Sequence, residues 1–234
     1  MNTSLGLKNS CLTLVKDWLT RLGAVAPAWS ISYLDESLNY LQVGRWLKSN
    51  GYKIPNRFRH RNDLFDLIAT EVGDREAVYL EFGVYYGDSM RYWSKLLKNP
   101  GSVLHGFDSF MGLPEPWKDN ARKGSFSTRG EVPEFDDPRV KLFIGMFSDV
   151  LPDYHVPEIR PLIINIDADL YSSTIYVLRA LRGSIASGTY IYFDEFFSRE
   201  HELRAFDEFI RETGLKFRLR GADRTLHNVV FQAV

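Results

Sequence analysis

Cysteine is nearly missing from this chain: Cys11 stands alone among 234 residues. An internal disulfide is therefore impossible. With no cluster of thiols and imidazoles, zinc has no ligand set either. Such cysteine usage fits a reducing compartment, and a cytoplasmic location is expected. Charge of one sign is also missing. The 29 basic and 30 acidic side chains leave a formal net charge of -1, without the basic excess that marks nucleic-acid and membrane-surface proteins. Neither kind of partner is expected. No window approaches the ~18 apolar residues of a membrane span. The first segment, MNTSLGLKNSCLTLVKDWLTRL, has no apolar centre and does not read as a signal peptide. Internal repeats and low-complexity tracts are absent as well. The dinucleotide fingerprint G-x-G-x-x-G does not occur at the glycine-rich turn described below, which argues against NAD.

What remains has the composition of an ordinary globular protein, 44% hydrophobic and 25% charged. Its texture changes near residue 76. Before that point Leu34, Leu38, Leu41 and Trp46 recur at helical spacing, and Arg61 to Gly73 reads as a further helix. We expect an N-terminal helical cap over residues 1–75. From 76 to 234 strands alternate with helices: AVYLEFGV, SVLHGFDSF, VKLFIGMF, PLIINIDAD and TYIYFDEFF, then the closing pair LKFRLRGA and HNVVFQAV. Alternation implies right-handed parallel crossovers, and the last two strands form an antiparallel pair at one edge. The expectation is an α/β fold with an open, mostly parallel seven-stranded sheet, binding its ligand at the carboxyl ends of the strands.

Three features fall at those ends. Gly83 and Gly87 in LEFGVYYGDSM follow a strand and open a helix, so the backbone can turn tightly and approach a ligand closely. Asp108 ends the next strand, where an acid can accept hydrogen bonds from ribose hydroxyls; helix capping is the alternative. Asp167 and Asp194 end two successive apolar strands, and Glu195 follows directly. If these strands are neighbours, about 4.8 Å apart, the carboxylates converge, and hard oxygen ligands suit Mg²⁺ or Mn²⁺. Acids stabilising helix N-termini are the alternative there too. Asp169, two residues past Asp167, is the candidate general base. None of His105, His155, His201 or His227 is a preferred rival.

YLEFGVYYGDSM, GFDSFMGLPEPW, FIGMFSDVLP, IDADLYSST and YFDEF resemble, in order, the motifs of class I S-adenosylmethionine-dependent methyltransferases. The likeness is greatest to the macrocin O-methyltransferase (TylF-like) group of sugar O-methyltransferases. It covers roughly residues 78–196, and FDSFMGLPEPW is its most specific string. The resemblance implies a Rossmann-like methyltransferase fold. It also implies that Glu81 and Gly83, with Ser89, line the methionine end of S-adenosylmethionine. Asp108 would hold the ribose beside Ser109 and Phe110, and Gly145, Met146 and Phe147 would flank the adenine. Asp167 would border the cofactor and, with Asp194 and Glu195, hold Mg²⁺. The family more often has Asp-Asp where this chain has Asp194-Glu195.

The acceptor implied is a small molecule with a hydroxyl group, a sugar or a secondary metabolite. The polar stretch 115–139 reads as a lid or as a mobile surface loop, with Trp117 and Phe126 as its aromatic faces. The basic run NRFRHR, Asn56 to Arg61, reads as a solvated loop before an anion-binding one. Tyr33, Tyr40, Trp46, Tyr85 and Tyr86 are further aromatics for an acceptor. The N-terminal helices offer a surface for self-association. A metal-independent methyltransferase and a non-catalytic nucleoside-binding module remain as alternatives.

Overall fold

The computed structural model describes residues 3–53, 56–117 and 121–234, with side chains from Leu12 onward, so Cys11 lies outside the described side chains. The chain divides into two compact units, 1–46 and 47–234. The first holds helix α1 (Thr3–Val25) and most of α2 (Ala28–Ser49). It leaves Trp18, Trp29 and Leu41 exposed. The helical region expected over 1–75 is thus divided, because α3 (Arg61–Val72) belongs to the second unit. There Leu64, Phe65, Ile68 and Val72 recur at helical spacing and join Tyr79, Trp93, Ile163 and Tyr192 in one core cluster. Phe65 lies 4.8 Å from the Tyr192 ring and 5.4 Å from Trp93, between centroids. Burial of each such side chain contributes roughly 1.5–3 kcal/mol.

The second unit is built on one eight-stranded sheet. Its strands are β1 (Arg57–Phe58), β2 (Val78–Phe82), β3 (Val103–Asp108), β4 (Val140–Ile144), β5 (Leu162–Ile166), β6 (Tyr190–Phe193), β7 (Phe217–Asp223) and β8 (Val229–Ala233). The order is β1-β7-β8-β6-β5-β2-β3-β4. All pairs are parallel except β6–β8 and β7–β8. The seven expected strands are present. The eighth is two residues at the edge, from the run read as a solvated loop, and so short a strand has no period-2 pattern to reveal it.

Every residue of β2, β5 and β6 is buried, as continuous apolar strands covered on both faces must be. Helices α4 (Asp88–Leu96), α6 (Tyr171–Leu181) and α7 (Glu202–Thr213) supply the cover through apolar stripes, Met90 and Trp93, then Ile175, Leu178 and Leu181, then Leu203, Phe206 and Phe209; α5 (Phe147–Val150) is a single turn. Rings of Phe193, Phe196, Phe206 and Phe231 interlock below β6 and β8 at 4.6–6.3 Å. No described helix is long and apolar enough to cross a membrane.

The far edge of the sheet is pinned by Arg139, just before β4. Its guanidinium donates to the carbonyls of Ser94, Leu97 and Asn99 around the end of α4, and to both oxygens of Asp137. Those bonds draw the Asp137 carboxyl down to about 2. A depressed carboxylate contributes stability that is full above its unfolded value and is lost as pH falls through the folded one. Asp137→Asn should therefore lower stability at pH 7 by about 1 kcal/mol, allowing for solvent screening. Urea midpoints should show the deficit shrinking to roughly half by pH 3.

Candidate active site

The glycine turn is shaped by a contact that admits no side chain. Gly83 sits at φ +96, and a Cβ there would lie 1.8 Å from the Asp167 carbonyl oxygen. Donation from Asp167 N–H to Phe82 C=O (2.9 Å) and from Gly83 N–H to Phe107 C=O (3.0 Å) ties the ends of β2, β3 and β5 at one level. Gly87, at φ +83, caps α4. Between the glycines the chain is held by Asp108. Its Oδ2 accepts the N–H groups of Val84 and Tyr85, both at 2.8 Å, and its Oδ1 accepts Phe110 N–H at 2.8 Å.

These strand ends open into a cleft of about 300 Å³. Every expected cofactor residue but one lines it: Glu81, Gly83, Gly87, Ser89, Asp108, Ser109, Gly145, Met146, Phe147 and Asp167. Asp169, Asp194 and Glu195 line it as well. Phe110 is not among the lining residues. It is buried, with φ +57, and its carbonyl accepts Ser127 Oγ and Gly130 N–H. Phe147, half-buried and edge-on to Phe82 at 5.5 Å, forms a wall of the cleft. Tyr85, Tyr86, Trp117 and Phe126 add an aromatic rim, while Tyr33, Tyr40 and Trp46 belong to the first unit. The loop expected to act as a lid is partly tied down: Leu113 and Ala121 pack on Leu170, and Arg91 donates to the Glu134 carbonyl. Non-glycine residues with positive φ gather here; Tyr85 (52), Phe126 (61) and Asp169 (58) all line the cleft. Such backbone costs of order 1–3 kcal/mol each and clusters at functional sites.

The carboxylates differ in environment. Glu81 is buried; Tyr79 OH donates to its Oε2 (2.8 Å), and Asn165 Nδ2 donates to Tyr79 (2.8 Å). Burial pushes Glu81 up to about 8. Partial burial, then the like charges of Asp194 and Asp169, holds Asp167 well above the ordinary carboxylate range, with Arg61 opposing. Asp194 Oδ1 accepts Tyr192 OH (2.7 Å) and Asn228 Nδ2 (2.9 Å). Glu195 Oε2 lies 4.0 Å from His227 Nε2. Behind it the buried Glu202 accepts Glu195 N–H at 2.9 Å.

Two of these groups were not expected at the site. Glu202 reads as a helix-start acid. Arg61 sits in the basic run, yet it is the first residue of α3, and its Nη1 reaches 3.6 Å from Asp194 Oδ1 and 3.9 Å from Asp167 Oδ2. A guanidinium therefore stands where the expected Mg²⁺ would bridge Asp167 and Asp194. Among the described residues, no group of three or more His, Cys, Asp or Glu side chains is arranged to hold a metal. As arranged, the donor set does not fit a divalent ion. The histidines stand apart from the cleft lining. His105 is half-buried, bonded to Tyr154 OH at 2.7 Å, and desolvation lowers it to about 4.

A doubly wound sheet with a carboxylate-clamped glycine turn and acidic ends on its fourth and fifth long strands agrees with the resemblance to class I S-adenosylmethionine-dependent methyltransferases. Residues 56–231 match the macrocin-O-methyltransferase (TylF) family, and the chain belongs to it. Among solved structures, CalS11, a calicheamicin methyltransferase, is similar at 23% identity and a TM-score of 0.57, over 94% of this chain and 91% of that one. The O-methyltransferase NovP is similar at 25% identity and 0.53, over 74% and 76%. Comparison with proteins of curated function finds no match. Gly83→Ala should be far more damaging than an ordinary surface substitution, since backbone must move to admit the Cβ. A thermal melt should show a loss of several degrees, and calorimetry should show cofactor binding abolished; a wild-type melt and affinity would contradict the close contact.

Proposed function

We propose that this methyltransferase acts on a hydroxyl group of a sugar or another small natural product. The observation that carries the reading is the division of the cleft into a cofactor wall, from Glu81 to Ser89 with Asp108 and Gly145 to Phe147, and an acidic floor edged by aromatic rings. The family's description, naming a macrocin O-methyltransferase, supports a sugar hydroxyl. S-Adenosylmethionine supplies a methyl group on a sulfonium sulfur. The chain must place an acceptor oxygen in line with it and take the hydroxyl proton. Asp169, held at φ +58 on the cleft floor, is assigned that proton.

Met146 and Phe147 offer an apolar face for adenine. Asp108 already accepts three amides, so it has room for one further donor, a ribose hydroxyl. The same reading takes the N-terminal helices as a cap and the 115–139 loop as a lid, supported by Trp117 and Phe126 at the cleft. The exposed Trp18 and Trp29 support self-association, and the lone Cys11 suits the cytoplasm. Mg²⁺ is a second reading, supported by Asp167 and Asp194 on adjacent strand ends and opposed by Arg61 between them.

Calorimetry with S-adenosylhomocysteine tests the cofactor assignment. Glu81 must ionise to pair with the ligand's ammonium group, and its carboxyl stands near 8. Affinity should therefore rise about tenfold per pH unit below that value and level off above it; Glu81→Gln should flatten the profile. Absence of micromolar binding would end the methyltransferase reading. Once an acceptor is found by screening, Asp169→Asn should cut kcat by roughly 10²–10⁴ while S-adenosylhomocysteine affinity is unchanged. Unchanged kcat would remove Asp169 from the mechanism, and binding without turnover on any acceptor would favour the non-catalytic module.

A further inference from the structure

Arg61 is the single Lys or Arg among the described residues lining the cleft, set against seven carboxylates. Its backbone is fixed in place, while the side chain itself is 38% exposed. It starts a helix whose Leu64, Phe65 and Ile68 are fully buried. The turn before that helix is fixed by Asp63 Oδ2, which accepts the N–H groups of Arg59 (3.2 Å) and His60 (3.0 Å). At 3.6 and 3.9 Å its Nη1 pairs in charge with Asp194 and Asp167, beyond hydrogen-bond reach. Its five N–H donors make no hydrogen bond among the described residues, so the planar fork is available to a ligand.

A magnesium or calcium ion needs its oxygens at about 2.0–2.6 Å. An ion bonded to Asp167 Oδ2 and Asp194 Oδ1 would lie against the permanently charged guanidinium. Asp194 Oδ1 also already serves Tyr192 and Asn228. We propose that Arg61 is the resident cation of this site, occupying the position between Asp167 and Asp194 and donating a hydrogen bond to the acceptor oxygen in place of a divalent metal. The proposal rests on the methyltransferase reading. In the transfer step the acceptor O–H bond breaks and its proton goes to the Asp169 carboxylate. The oxygen electron pair forms the O–CH₃ bond, and the electrons of the S–CH₃ bond return to sulfur. Arg61 stabilises the negative charge that develops on the oxygen.

Manganese binding measures the assignment without an acceptor. Mn²⁺ is titrated into protein saturated with S-adenosylhomocysteine, and free Mn²⁺ is followed by electron paramagnetic resonance. Wild type should hold no ion below about millimolar concentration, as should Arg61→Lys, which keeps the charge. Arg61→Met and Arg61→Gln, which remove it, should each gain a site at least about tenfold tighter. That site should vanish when Asp167→Asn is added. One ion bound to wild type at micromolar Kd overturns the proposal, and so does failure of both neutral variants to gain a site. A thermal melting temperature within a few degrees of wild type certifies each variant as folded. If wild type itself binds no S-adenosylhomocysteine, the methyltransferase reading has failed, a result distinct from either outcome above.

Discussion

The contact between Gly83 and the Asp167 carbonyl is the constraint on which the site depends. It lets the chain leaving β2 pass directly over the end of β5. Any side chain at Gly83 would lift the cofactor turn away from the acid that follows β5. The parallel register of β2 with β5, Phe82 opposite Ile166, brings the two backbones to that point. The register of β5 with β6, Ile166 opposite Phe193, puts Asp194 at the same level. The proposed cofactor wall and the acidic floor are thus two consequences of one sheet, fixed by buried strands rather than by the loops at their ends.

Bringing so many carboxylates together demands compensation, and the chain uses three devices. Glu81 and Glu202 are buried where desolvation favours their neutral forms. Asp108 and Asp194 are surrounded by donors, three amides for one and a phenol and an amide side chain for the other. Arg61 supplies positive charge to Asp167 and Asp194 together. The resulting cleft can receive a cofactor that carries both a sulfonium and an ammonium.

The long elements and the acidic strand ends were readable from the chain because they obey simple periods. β2 and β5 are unbroken apolar runs, and Asp108, Asp167 and Asp194 follow such runs directly. Phe110 shows where reading by proximity fails. It neighbours two cleft residues, but its positive φ turns the ring into the core and leaves only its backbone to serve Asp108. Arg61 shows a different failure. Its sequence neighbours Arg57, Arg59 and His60 suggest solvent, and only the apolar stripe of α3 reveals that the helix is anchored under the sheet. That stripe was visible as a helix; the direction of its first residue depends on how α3 docks, which no local pattern encodes.

Asp108 serves two masters with one carboxylate. On the proposed assignment, the oxygens that hold the amides of Val84, Tyr85 and Phe110 are those a ribose hydroxyl would approach. Occupancy of the nucleoside pocket and order in the Gly83–Gly87 turn are therefore coupled, and linkage makes the coupling reciprocal. A cofactor that strengthened the grip of Asp108 would stiffen the turn, and its departure would slacken it. The glycine turn would then act as a latch whose tension reports whether the pocket is filled.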